Sequence, residues 1–250
     1  MIFPYGGRQK SGVCTHSHSD VAAMALRGLC VSYAGGIHAV CGVSFAVKTG
    51  ERLALTGHNG CGKSTVLKAI AGLVPRTEGD LLVGGHSPNS CRHRIAYLAQ
   101  RSSVDWSFPM TLMDLLLSGR YVHLGWLQRP GADDRKRVLE IADKLRLSPF
   151  LQRQIGQLSG GQQQRALIGR ALIQEADLLL LDEPFNALDP ESRHEMLCLF
   201  DGLSAEGRTL ITATHHLDDL ETHFDRQVHM HMGRVDKDLN LRQPTPAAGP

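Results

Sequence analysis

The stretch GHNGCGKST, Gly57 to Thr65, follows directly on the run Arg52-Leu53-Ala54-Leu55-Thr56 and leads into VLKAIAGL. The first run is short and β-prone. In the last, Val66, Leu67, Ile70 and Ala71 recur at helical spacing until Gly72 and Pro75 stop it. Strand, glycine turn and helix thus follow in order, and Gly57 to Ser64 spells G-x-x-x-x-G-K-[ST], the phosphate-binding loop. Gly57, Gly60 and Gly62 let the backbone curl so that successive N–H groups face inward and, with the helix N-terminus, make an anion cradle. Lys63 is expected on the β- and γ-phosphates, the Ser64 hydroxyl on Mg²⁺ and Thr65 near the α-phosphate. With strand and helix flanks both present, a glycine turn that merely caps a helix is the poorer reading. The expected ligand is a nucleoside triphosphate. Cys61, inside the loop, reads as a small residue tolerated in a tight turn rather than as a reactive thiol.

Outward from this stretch, β-prone and helical segments alternate. Ala25 to Val31 and Val43 to Val47 read as strands punctuated by Gly35-Gly36 and Thr49-Gly50. Ile95 to Ala99 reads as another, residues 111 to 118 and 133 to 147 as helices, and Leu178 to Leu181 as a fully buried strand. The alternation predicts an α/β fold with crossover connections. A chain of 250 residues accommodates one large α/β domain or two small ones, and a modest insertion also fits. Residues 1 to 22, polar and rich in His and Ser, predict a loose arm, and LRQPTPAAGP predicts a loose tail.

Composition narrows the function classes. The 27 basic and 25 acidic residues are interspersed, which argues against nucleic acid as a partner. Six cysteines without C-x-x-C spacing suggest neither a zinc ribbon nor a disulfide framework, and a reducing cytoplasm is the expected compartment. No run of roughly 18 apolar residues or signal-peptide core occurs, so work at a membrane would require a partner there.

A phosphate loop alone leaves kinases, GTPases and many ATPases open. LLLLDEP, Leu178 to Pro184, ends an apolar strand in two carboxylates, whose side chains alternate and so serve different ends. Asp182 is expected to support Mg²⁺ through its water shell, and Glu183 to orient and polarise the attacking water. Upstream stands LSGGQQQR, Leu158 to Arg165, where Ser159 is a good N-cap and Gly160 and Gly161 again turn backbone N–H groups toward an anion. Two phosphate-binding turns therefore occur in one chain; both could cap ordinary helices, but LSGGQ so shortly before LLLLDEP is a highly specific combination.

With these motifs the chain, over roughly residues 24 to 235, resembles the ATP-binding subunits of ABC transporters: GHNGCGKST stands as Walker A, LSGGQ as the signature motif and LLLLDEP as Walker B. The resemblance implies a P-loop NTPase cassette with a RecA-like core, an antiparallel β subdomain and a helical subdomain inserted over about 101 to 160, the arm ending at 22 and the tail starting at 236. It implies a head-to-tail homodimer in which Walker A of one subunit and the signature turn of the other clasp the same ATP. Nucleotide contacts are then expected from Asn59 and Cys61 beside the loop glycines, and from Ser159, Gly160, Gly161 and Gln162. Gln100 resembles the glutamine that senses metal and γ-phosphate, Asp189 of NALD the residue that crosses the dimer interface, and Tyr33 the ring that stacks on adenine. The switch histidine of TATHHL maps to His215, with His216 as runner-up. Lys63, Ser64, Gln100, Ser159, Asp182, Glu183 and His215 are all of the hydrolysing type.

The segment after Gln100 carries Trp106, Phe108, Leu112, Leu116, Trp126 and Leu127, expected mostly as subdomain core with a few against a partner's helix. Its VDWSFP and GRY-x-x-x-GWL-x-RP stretches resemble the ATPases of manganese, zinc and ferrous-iron importers. That implies an integral membrane permease, an extracytoplasmic metal-binding protein acting indirectly, and a place on the inner face of the membrane. A siderophore, cobalamin or exported cargo stays open, as does a non-transport ABC ATPase. The 13 histidines, irregularly spaced, are not expected to form a structural metal site.

Overall fold

The computed structural model describes residues 22–33, 37–124, 128–186, 188–215 and 220–242, with Ile37 placed by its backbone only. Expectations for residues 1–21, Gly35, Gly36, Trp126, Leu127, His216 and 243–250 lie outside the described residues. Two units are distinct, Arg101–Ala176 and the remainder, Ala22–Gln100 with Asp177 onward.

The larger unit holds two sheets. β1 (Met24–Tyr33), β2 (Ile37–Val47) and β4 (Glu78–Val83) form an antiparallel sheet in the order β2-β1-β4. The second sheet runs β5-β6-β7-β3-β8-β9, from β3 (Arg52–Thr56), β5 (Ile95–Leu98), β6 (Leu178–Asp182), β7 (Thr209–Ala213), β8 (Arg226–His231) and β9 (Arg234–Asn240). Its pairings are parallel except β8 with β9. Every residue of β3, β6 and β7 is buried, as expected for central parallel strands, and their near-continuous apolar sequences follow from it.

Helix α1 (Lys63–Ile70) buries Val66, Leu67 and Ile70 completely. They share one core with Leu53 and Leu55 of β3, Leu180 of β6 and Ile211 of β7, and with Leu29, Val31 and Val43 of the antiparallel sheet. Each such side chain contributes roughly 1.5–3 kcal/mol by leaving water. This packing fixes the start of α1 above the ends of β3 and β6. Helices α6 (Pro190–Ala205) and α7 (Leu220–His223) complete the unit among the described residues.

Two sequence boundaries shift. The tail expected from 236 is part of β9 as far as Asn240. RVDKDLN is too polar to read as a strand, but its backbone pairs with β8, and Arg226 holds Asp238 through Nε at 2.6 Å and Nη2 at 2.5 Å. Charged side chains of this kind suit an edge strand. The inserted unit reaches Ala176 rather than closing near 160, because α5 (Gly160–Ile173) packs with α2 (Leu112–Leu117) and α4 (Ala132–Lys144), where Gly169 lies against Leu116 and Leu145. The short helix α3 (Tyr121–Leu124) also belongs to it. Leu112 and Leu116 are fully buried, while Trp106 is half-buried with Nε1 donating to the Arg101 carbonyl at 3.0 Å, and Phe108 is exposed.

Gly119 sits where a Cβ would strike the Arg170 carbonyl of α5 and crowd Ile173 at 3.3 Å. Exchanging a glycine for alanine in a helical turn would by itself gain about 0.5–1 kcal/mol, but overpacking against a backbone carbonyl costs about 1–3 kcal/mol. Gly119→Ala is therefore expected to lower stability, read as a lower urea midpoint at unchanged slope.

Candidate functional site

The loop after β3 is shaped by exclusion of side chains. Gly57 has φ +138°, and a Cβ there would collide with the Met230 carbonyl of β8. Gly62 has φ +105°, and its Cβ would lie 2.9 Å from the Ala39 carbonyl of β2. Both values lie in a region that only glycine enters freely. Lys63, 6% exposed, turns back over the loop, its Nζ donating to the carbonyls of Gly57 at 2.7 Å and His58 at 3.1 Å. The Cys61 side chain is in the core rather than in the site, and its N–H donates to the His58 carbonyl at 3.2 Å.

A cavity of about 420 Å³ opens over this loop, lined by Asn59, Gly60, Gly62, Lys63, Ser64 and Thr65. Gln100, beyond the end of β5, and Glu183 and His215, beyond the ends of β6 and β7, face the same space. Six expected residues of the loop and three expected from distant segments are thus brought together. Ala39 and Asn186 complete the lining.

Asp182 ends β6 with 2% exposure. Ser64 Oγ donates to its Oδ1 at 2.8 Å and the Tyr97 hydroxyl donates to its Oδ2 at 2.9 Å. A buried carboxylate is thereby met on each oxygen. Burial, and then the Asp182 charge beside it, pushes the Tyr97 phenol far above its ordinary pKa, so it stays a donor.

Glu183 points elsewhere. Its backbone has φ +51°, unusual for a residue with a Cβ, and its N–H donates to the Ala213 carbonyl at 3.0 Å, anchoring it to the end of β7. His215 Nδ1 lies 2.8 Å from Glu183 Oε2. A carboxylate only accepts, so Nδ1 carries the proton. Glu183 is buried with a side chain 6% exposed, whereas that of His215 is 44% exposed.

Other expected residues lie outside the cavity lining. Tyr33 is 45% exposed with its hydroxyl 3.3 Å from Thr65 Oγ1. Asp189 caps α6, accepting Ser192 N–H at 2.9 Å and the Ser192 hydroxyl at 2.8 Å; the backbone N–H, then the hydroxyl, holds its pKa below the usual carboxylate value. In the inserted unit, Ser159 and Gln162 form a capping box at the start of α5: Ser159 N–H donates to Gln162 Oε1 at 2.9 Å and Gln162 N–H to Ser159 Oγ at 3.4 Å. Gly160 lies against the Arg101 guanidinium, and Gly161 follows it in the first turn.

Sequence reading passed over Tyr97, although a phenol is the one polar side chain in the run IAYLA, and Asn186, which begins the NALD stretch. The polar interruption of a buried strand was the available signal.

A family profile described as ABC transporter matches residues 40–186. The zinc transport system ATP-binding protein TroB of Treponema pallidum is 44% identical over 184 residues, 74% of this chain and 69% of that protein. The manganese transport system ATP-binding protein MntB of Bacillus subtilis is 39% identical over 193 residues, 77% of each. Among solved structures, a dimeric ATP-binding cassette in a post-hydrolysis state bound to ADP and Pi has a TM-score of 0.78 at 27% identity, covering 88% of this chain and 99% of that one.

Removing the Tyr97 hydroxyl leaves Asp182 Oδ2 without that donor. Tyr97→Phe is expected to cost about 1–3 kcal/mol, measured by chemical denaturation against wild type, with Tyr33→Phe as an exposed control changing little.

Proposed function

The chain belongs to the ABC transporter family, and we propose that it is the ATP-hydrolysing subunit that energises uptake of a divalent transition metal through a separate membrane permease. The observation that carries the ATPase reading is the convergence of the Lys63 loop, Gln100, Glu183 and His215 on one cavity. The names of the relatives, zinc in one and manganese in another, support the cargo. Among the described residues no helix is long and apolar enough to cross a membrane, and the transport-system names of the relatives support a separate integral membrane partner.

In this reading ATP lies with its phosphates along the loop, where backbone N–H groups of Gly60, Gly62, Lys63 and Ser64 and the dipole of α1 receive them. Lys63 exchanges the loop carbonyls it now contacts for phosphate oxygens, a small movement of one flexible side chain. Tyr33 stacks on the base. Ser64 Oγ and Gln100 line the cavity and are oxygen donors of the type that Mg²⁺ selects, while Asp182, buried behind Ser64 and 2.8 Å from its Oγ, would support the ion through its water shell. Bound with the nucleotide, Mg²⁺ would neutralise charge on the phosphate oxygens.

Glu183 takes the proton of the attacking water. Its burial strengthens the pull of the carboxylate on that water, and the His215 Nδ1–H holds Oε2 so that Oε1 is presented. Ser159, Gly160, Gly161 and Gln162 of a second copy close over the γ-phosphate, while Asp189 lies at the subunit boundary. ATP binding then joins two copies and hydrolysis parts them, the alternation that works the permease. An extracytoplasmic metal-binding protein delivers the cargo from the other side.

Glu183→Gln is expected to lower the ATP turnover number by about 10²–10⁴ while leaving ATP binding intact, and to accumulate ATP-bound dimer in size-exclusion chromatography. In cells grown in metal-limited medium, the same substitution should deplete one of manganese, zinc or iron by mass spectrometry, with restoration by the wild-type gene. Unchanged levels of all three would overturn the cargo and leave the hydrolysis result standing.

A further inference from the structure

The β1–β2 hairpin carries two thiols that the nucleotide site does not use. Cys30 Sγ and Cys41 Sγ lie 3.9 Å apart across the pair, and neither is in a disulfide. The pairing is irregular here, with register shifts between Leu29 and Val31, and Gly42 adopts φ +71°, so one strand bulges opposite Cys30. The bulge turns the Gly42 N–H onto Cys30 Sγ at 3.2 Å. We propose that Cys30 and Cys41 are a reversible disulfide site whose closure weakens nucleotide binding in the adjoining cavity.

Distance and placement carry this. A disulfide requires its sulfurs at about 2 Å, so the remaining gap closes by side-chain rotation together with a shift of the bulged β2 backbone, whose pairing with β1 is already irregular here. Burial separates the two roles: Cys41 is half-buried and meets an oxidant in solution, while Cys30, 8% exposed, waits behind it. The Gly42 N–H favours the Cys30 thiolate, although burial and the neighbouring Cys41 leave the thiol above its ordinary pKa. The oxidant is a low-molecular-weight disulfide. The Cys41 thiolate attacks one of its sulfurs, forming a mixed disulfide and expelling one thiolate. Cys30, losing its proton, then attacks Cys41 Sγ and expels the second. Two protein thiols are oxidised, one small disulfide is reduced to two thiols, and the two cysteine protons end on the released thiols.

The hairpin adjoins the site directly. Ala39 of β2 lines the cavity, its carbonyl faces Gly62 of the loop, and the Tyr33 hydroxyl at the end of β1 reaches Thr65. The Cys41 N–H donates to the Gly233 carbonyl at 2.9 Å, and the Gly233 N–H to the Cys61 carbonyl of the loop at 3.0 Å. Drawing Cys30 and Cys41 together therefore shifts Tyr33 and Ala39 against the cradle. The effect on binding rests on the nucleotide reading of that cavity.

The full chain is treated with oxidised glutathione, digested and mapped by mass spectrometry, and a fluorescent ATP analogue is titrated into reduced and oxidised protein. Wild type should yield a Cys30–Cys41 cross-link reversed by dithiothreitol and bind the analogue at least about fivefold more weakly when oxidised, a coupling of ordinary allosteric size. Cys41→Ser should abolish both changes, and Cys30→Ser should stop at glutathione carried on Cys41. Absence of the cross-link in wild type, a cross-link that leaves affinity unchanged, or the same loss of affinity in Cys41→Ser would overturn the proposal. Lys63→Ala in the reduced state separates the two readings: if it binds the analogue as well as wild type, the nucleotide site fails, while the peptide map still judges the disulfide.

Discussion

An ionised carboxylate taken out of water costs several kcal/mol unless donors meet its oxygens, and Asp182 stands at the end of a strand whose five residues are all buried. The two donors it receives come from separate elements, Ser64 at the start of α1 and Tyr97 on β5. Helix, loop and two strands are thus tied at one point. The register of β5 on β6, with Tyr97 opposite Leu180, brings the phenol to the carboxylate, and the same strand delivers Gln100 to the cavity three residues later. Packing of α1 against the sheet serves the same end, since rotation of that helix would remove Ser64 from Asp182 and Lys63 from the loop together.

The neighbouring residue shows how two adjacent carboxylates acquire unlike surroundings. Asp182 accepts from a serine and a phenol in the interior, whereas Glu183 leaves the strand at a positive φ and meets a histidine that is itself half in solvent. Backbone strain of this kind persists only where its surroundings hold it, and the hydrogen bond from Glu183 N–H to Ala213 does so. A carboxylate that is buried, aimed into a cavity and held at one oxygen is well placed to act on water at the other.

The inserted unit has its own interior, in which Leu112, Leu116, Val138 and Ile173 are fully buried, and its own glycine turn held by the Ser159–Gln162 box. A capping box satisfies the first N–H groups reciprocally and so fixes the angle at which α5 begins. The turn is thereby held to a definite shape by its own side chains.

The glycine loop, the apolar strand that runs to Asp182, and the Ser159 turn were legible because each is a local rule: glycine where a Cβ has no room, an unbroken apolar run for a strand buried on both faces, a hydroxyl before a helix. Alternation along the strand did not place Glu183, which lies beyond β6 and turns away through its positive φ. Their order along the chain sufficed for the family and the α/β fold. β9 was not legible, because a strand of Arg, Asp and Lys is made by the pairing its neighbour offers rather than by its own composition. Nor was the reach of the inserted unit to Ala176, which depends on α5 finding α2 and α4. Tyr97 on Asp182, His215 on Glu183 and Cys30 beside Cys41 join residues on different elements, the first two pairs 85 and 32 positions apart. Sequence by itself determined which chemical groups this protein owns and which turns would carry them; tertiary structure alone decided which of them meet, because register and helix packing, not spacing along the chain, set those distances.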